Sequence, residues 1–191
     1  NGKLYYRGFN INELANNSTF EEVSYLLIHG TLPNKSQLDE ITTWMANNRE
    51  IPNEVIKLID SIKHLHPMDV LRTTISTLAA FDESLEDDSI ESNVKKGLSI
   101  TAKAPTIVTT HIRLRDGKNP VSPDNSLSHA SNFLYMLFGI IPDELDAKLV
   151  RETLNVLLKF EEDIAATTPM INELVSKSTQ SVRPIRHAAT T

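Results

Sequence analysis

The sequence predicts an all-α protein, and three observations carry that expectation. Apolar residues recur at the helical period along nearly the whole chain, and no alternating strand pattern competes with it beyond the first residues. Only six glycines occur, and Gly30, Gly117 and Gly139 each follow an apolar run, where a left-handed C-cap favours a residue without a Cβ. Pro52, Pro67 and Pro142 open apolar runs instead of interrupting them, as expected where a missing N–H is harmless.

The elements follow in order. Leu4-Tyr5-Tyr6 reads as a short extended start, followed by helices over 10–16, 18–29, 35–47, 52–63, 67–82, 89–114, 127–138 and 143–160. Ser18 and Glu21 have capping-box spacing ahead of Val23, Leu26 and Leu27. Pro105 lies inside the sixth helix and is expected to kink or split it. Asp82 to Asp88 is an acidic connection, and Asp116 to Asn125 is a loop rich in Gly, Pro and Asn. In the seventh helix Ala130, Phe133, Leu134 and Leu137 form one stripe, while Tyr135, Met136 and Phe138 fill most of the remaining circumference. Such a helix packs on several sides, in a core or against a partner. Val150, Leu154, Val156, Leu157 and Leu158 make the same case for the eighth. Past Phe160 the character changes to Glu161-Glu162-Asp163 and then a polar tail. The expected division is therefore a helical domain over 1–160 and a divergent, mobile segment over 161–191.

Composition bounds the chemistry. A chain of 191 residues suits one domain, or one piece of a larger one. No run approaches the roughly 18 apolar residues of a membrane span, so no membrane partner is expected. The absence of cysteine excludes a disulfide scaffold, a thiolate metal site and a cysteine nucleophile, and fits a cytoplasmic location. A net charge of −6 argues against a basic nucleic-acid surface, and Lys95-Lys96 and Arg113-Leu114-Arg115 are too sparse to make one. The chain opens Asn1-Gly2-Lys3 with neither Met nor a signal segment, which leads us to expect a processed or incomplete start.

The histidines suggest no metal centre. His64 and His66 are two apart, but no third ligand stands at a supporting spacing, and His66 reads as the cap of the helix opened by Pro67. His29 precedes the C-cap Gly30, where a cation suits the helix dipole. His111 and His129 read as packing residues. Glu161, Glu162 and Asp163 point in different directions on a helix and make a solvated acidic turn. The sequons within Asn16-Asn17-Ser18-Thr19 have no use without secretion, and no phosphate-loop, dinucleotide, EF-hand or zinc-helix pattern occurs.

The order of the motifs goes further than the chemistry does. Leu4-Tyr5-Tyr6-Arg7-Gly8-Phe9-Asn10-Ile11 with Glu13-Leu14-Ala15 resembles the opening signature of citrate synthases of the prokaryotic type. Phe20-Glu21-Glu22-Val23-Ser24-Tyr25-Leu26-Leu27 and Gly30-Thr31-Leu32-Pro33 are similar to the family's next segment. His66-Pro67-Met68 with Leu71-Arg72-Thr73 is similar to its "HPM…LRT" block. Ala102-Lys103-Ala104-Pro105-Thr106-Ile107 and Asn132-Phe133-Leu134-Tyr135-Met136-Leu137 follow in the family's order, and the resemblance extends over residues 4–158.

The resemblance implies a multi-helical large domain, here incomplete and without its small domain, and a homodimer or a heterodimer with a full-length homologue. It also implies the acyltransferase reaction of the tricarboxylic acid cycle, in which acetyl-CoA, as co-substrate, condenses with oxaloacetate and the thioester is hydrolysed to citrate. No cofactor or metal is implied. In such enzymes a carboxylate takes the methyl proton, one histidine stabilises the enol and another polarises the ketone. The family's block resembling "LHAxHxxNAST" falls without gaps on Leu158 to Thr168, placing Lys159 and Glu162 where the family has histidines. A negatively charged acceptor at Glu162 would repel a dicarboxylate. The next block, "GPLHGGA", is echoed by Arg183-Pro184-Ile185-Arg186-His187-Ala188-Ala189 one residue out of register, and makes His187 the candidate for the enol-stabilising residue. The expectation is a truncated or diverged family member, inactive alone. The alternatives are a non-catalytic dimerising or regulatory paralogue and a fragment of a 2-methylcitrate synthase.

Overall fold

The computed structural model describes residues 4–143, which form a helical array around one long central helix. The chain starts with a two-stranded hairpin, β1 (Tyr5–Tyr6) and β2 (Phe9–Asn10), paired antiparallel with Tyr6 opposite Phe9. The two-residue turn has Arg7 at φ 48° and Gly8 at φ 91°, so both central residues are left-handed, as the twist of a tight hairpin requires. The extended start was legible in the sequence; its partner strand was not, since two residues carry no period. Arg7 then anchors the hairpin by donating from Nη2 to the Leu27 carbonyl at 2.9 Å.

Seven α-helices follow among the described residues: α1 (Ile11–Asn17), α2 (Phe20–His29), α3 (Lys35–Asn47), α4 (Asn53–Ile62), α5 (Pro67–Leu78), α6 (Ile90–Arg115) and α7 (His129–Phe138). Their starts are set by caps. Asn10 accepts from the Asn12 N–H, Asn34 and Gln37 cap each other's backbone, and Ser89 and Ser128 cap α6 and α7. His66 is the N-cap of α5, its Nδ1 accepting from the Met68 N–H, with Pro67 at the first helical position. Gly30 and Gly139 close α2 and α7 in the left-handed conformation.

Three expectations are corrected. The capping box of α2 is Thr19 with Glu22, one residue beyond Ser18 and Glu21; Ser18 instead ends α1, its N–H reaching the Leu14 carbonyl. The same one-residue frame leaves Glu21 free for a different role, described below. Pro105 does not split α6, which runs unbroken through 26 residues, about 39 Å. A proline inside a helix forfeits one backbone hydrogen bond, at a cost of about 3 kcal/mol. Here α6 packs against α3, α4, α5 and α7 along its length, and burial of Ala102, Thr106 and Ile107 around the proline offsets that loss. The helix expected over 67–82 tightens after Leu78 into a 3-10 turn, Ala79–Phe81.

Two apolar clusters divide α6 between them. Its first half packs Leu98 and Ala102 on Phe20, Ile41 and Met45 from α2 and α3. Its second half packs Ile107 on Val55 and Ile59 of α4 and Val70 of α5. A smaller cluster of Leu14, Val23 and Leu26 seats α1 on α2. The helix expected over 143–160 and the segment 161–191 lie outside the described residues.

Candidate functional site

The most unusual chemistry among the described residues is a buried polar cluster where the α3–α4 connection meets the start of α7. Arg49 is 1% exposed, in a loop between the buried Met45 and Val55. Its Nη1 donates to the carbonyls of Asp124 and Leu127, each at 2.9 Å, and its own carbonyl accepts from Thr106 Oγ1 at 2.8 Å. Burial pushes the guanidinium below its usual value, against the attraction of Glu21 and Asp124. Glu21, buried on α2, accepts the His129 N–H at 3.0 Å. A carboxylate there satisfies a free N–H at the first turn of α7 and sits at the favourable end of its dipole. Asn132 completes the cluster by accepting the Asp124 N–H at 2.8 Å through Oδ1.

His129 is 3% exposed and lies flat on Phe20, ring centroids 4.2 Å apart. Desolvation, with a smaller push from the Arg49 charge, lowers its pKa to about 3. It is therefore a neutral, stacked imidazole at neutral pH, ill suited to hold or move a proton in catalysis. His111 is likewise a packing residue, giving a hydrogen bond from Nε2 to the Lys63 carbonyl at 3.0 Å, beyond the end of α4. His64 and His66 are exposed on one turn, and no group of three potential metal ligands exists among the described residues. Lys159, Glu162 and His187, the positions singled out by the motif alignment, lie outside the described residues.

The cluster was not legible from spacing. Its members are up to 108 positions apart, and Arg49 stands in the sequence between Asn48 and Glu50, where a charged residue gives no sign of burial. Its effect is mechanical: Arg49 and Asn132 pin the loop between α6 and α7, and Glu21 fixes the direction in which α7 leaves it. Arg113 locks the other end, with Nη1 donating to the Leu137 carbonyl at 2.9 Å. Gly139 follows at φ 78°, and a Cβ there would lie 3.7 Å from Arg113 Nη1. A cleft of about 660 Å³ lies between α3, the end of α5 and α6, bordered by Trp44, Ile75 and Lys103. No helix among the described residues is long and apolar enough to cross a membrane.

These features define a multi-helical domain in which, among the described residues, the buried Glu21, Arg49 and His111 bond to the backbone of neighbouring elements. A family model described as "Citrate synthase, C-terminal domain" matches residues 1–181. The chain belongs to the citrate synthase family. It is 37% identical over 185 residues to the citrate synthase of Haloferax volcanii, covering 94% of this chain and 48% of that protein. It is 39% identical over 141 residues to 2-methylcitrate synthase 2 of Corynebacterium glutamicum, covering 73% of this chain and 37% of that protein. The crystal structure of citrate synthase from Pyrobaculum aerophilum matches with a TM-score of 0.78 at 36% identity, over 87% of this chain and 44% of that one. The chain spans about half the length of the citrate synthase from Haloferax volcanii or Pyrobaculum aerophilum.

The motif blocks can now be read as packing. Arg7 anchors the hairpin, His66 caps α5, Ala102 and Thr106 lie in the buried stripe of α6, and Asn132 pins the preceding loop.

Proposed function

We propose that the chain supplies helical scaffold for the family's condensation, and that its 191 residues do not catalyse the reaction alone. In that reaction the methyl carbon of acetyl-CoA loses a proton and adds to the ketone carbon of oxaloacetate. Water then cleaves the thioester, leaving citrate and CoA. Positioned donors are needed at the enol oxygen and at the ketone oxygen, where charge grows in the transition state. The observation that carries the reading is 37% identity over 94% of the chain, against charged Glu162 and Lys159 at the aligned histidine positions. An ionised acceptor at Glu162 gives no hydrogen bond to the ketone oxygen and repels the substrate's carboxylates. The likeness to a 2-methylcitrate synthase favours including propionyl-CoA as a second acyl donor to be assayed.

The test is release of free CoA thiol by the purified chain with oxaloacetate and either acyl-CoA. The expected result is no rate above the blank. Turnover that disappears in His187→Ala would overturn the reading and make His187 the enol-stabilising group.

Self-association belongs to the same proposal. The all-round apolar character of α7 is largely used within the chain, with Ala130, Leu134 and Met136 buried, but Phe138, Ile140 and Ile141 stay exposed at its end. Such a patch favours a covering partner. Sedimentation at micromolar concentration is expected to show a dimer, and a strictly monomeric chain would count against it.

A further inference from the structure

The cleft against α6 holds chemistry that the scaffold does not use. Lys95, Ser99 and Lys103 border it at successive turns of α6, about 6 Å apart along the axis. The lysines around it are in different situations. Lys95 is paired with Glu91 at 2.8 Å, and Lys96 donates to the Leu85 and Asp87 carbonyls, holding the acidic connection in place. Lys103 is half-buried, donates to Ser99 Oγ at 2.6 Å, and has no carboxylate within ion-pairing distance among the described residues. An ammonium carries three donors, so two remain for a ligand. Burial already lowers the Lys103 pKa, with Asp82 giving only a distant counter-attraction, so an anion in contact would relieve an existing desolvation cost.

The rest of the lining joins the apolar Trp44, Ile51, Ile75, Leu78 and Ile100 to the carboxylates of Glu50 and Asp82, neither of them within ion-pairing distance of Lys103. At about 660 Å³ the cleft is in the size range of small-molecule sites, which join an apolar wall to a few placed polar groups. One available ammonium suits a ligand with a single anionic head better than a polyphosphate, which needs several cations.

We propose that this cleft binds a small anionic amphiphile, its carboxylate or sulfonate head on Lys103 and Ser99 and an apolar body of roughly eight to ten carbons along the Trp44 and Ile75 wall. The site is independent of whether the chain turns over acyl-CoA.

Trp44 is the only tryptophan in the chain, so its fluorescence reports directly on the cleft. The experiment titrates the full 191-residue chain with decanoate below its micelle concentration. A saturable change in Trp44 emission is expected, with 1-decanol, which has the tail without the charge, binding about tenfold more weakly. Lys103→Gln is expected to weaken decanoate about tenfold, and Lys57→Gln, an exposed lysine outside the cleft, to leave it unchanged. The proposal is overturned by a linear, unsaturable response, by equal affinity for decanoate and decanol, or by adenosine monophosphate binding more tightly than decanoate. It is also overturned if folded Lys103→Gln binds decanoate like the parent. The decanol comparison needs no variant, so the test stands even if Lys103→Gln fails to fold.

Discussion

Glu21 and His129 show how a single register decides a residue's task. A carboxylate at Glu21 reads locally as part of a helix cap, yet one turn of helix geometry aims it inward at the first N–H of α7. Next to it, His129 is held neutral by burial, its pKa lowered from 6.5 to about 3. The folded state therefore takes up fewer protons than the unfolded chain between those two values. The stability due to a neutral His129 is fully present above pH 6.5, is lost as pH falls, and stops changing below about pH 3. The slope is about 1.4 kcal/mol per pH unit, so about 2 kcal/mol is lost by pH 5. Urea unfolding at pH 7 and pH 5 is expected to show this loss, and His129→Phe, which keeps the stack on Phe20, to remove it. An equal pH dependence in the variant would assign the acid sensitivity elsewhere.

Helix boundaries were the most legible features, because caps and periods are local. The 35–47 helix falls on α3 residue for residue, and Pro67, Gly30 and Gly139 mark true ends. Where two polar residues compete for one cap the sequence alone is ambiguous: Ser18 with Glu21 and Thr19 with Glu22 share the same spacing. Packing resolves it, since Phe20 and Val23 must face the core together. Replacing Thr19 by Ala removes the acceptor for the Glu22 N–H, and thermal or urea unfolding is expected to show a loss of about 1 kcal/mol. No change would mean that the box contributes nothing to stability. Pro105 failed as a break signal for the opposite reason: contacts from four neighbouring helices outweigh a local penalty that sequence reading weighs alone. The Arg49 cluster carried no local pattern at all, because its partners meet only after α6 brings distant loops together.

At the scale of the whole molecule, residues 4–143 form a helical frame around α6, and the family assignment extends to residue 181. Among the described histidines, His66 caps α5 and His111 and His129 are buried packing groups. The most direct test transplants that frame. Residues 4–143 of this chain replace their counterparts in the citrate synthase of Haloferax volcanii, and the folded chimera is assayed for CoA release from acetyl-CoA and oxaloacetate. If these helices are a competent family scaffold, the chimera keeps its rate to within about tenfold of the parent. A chimera that folds and assembles like the parent but shows no turnover would contradict the account.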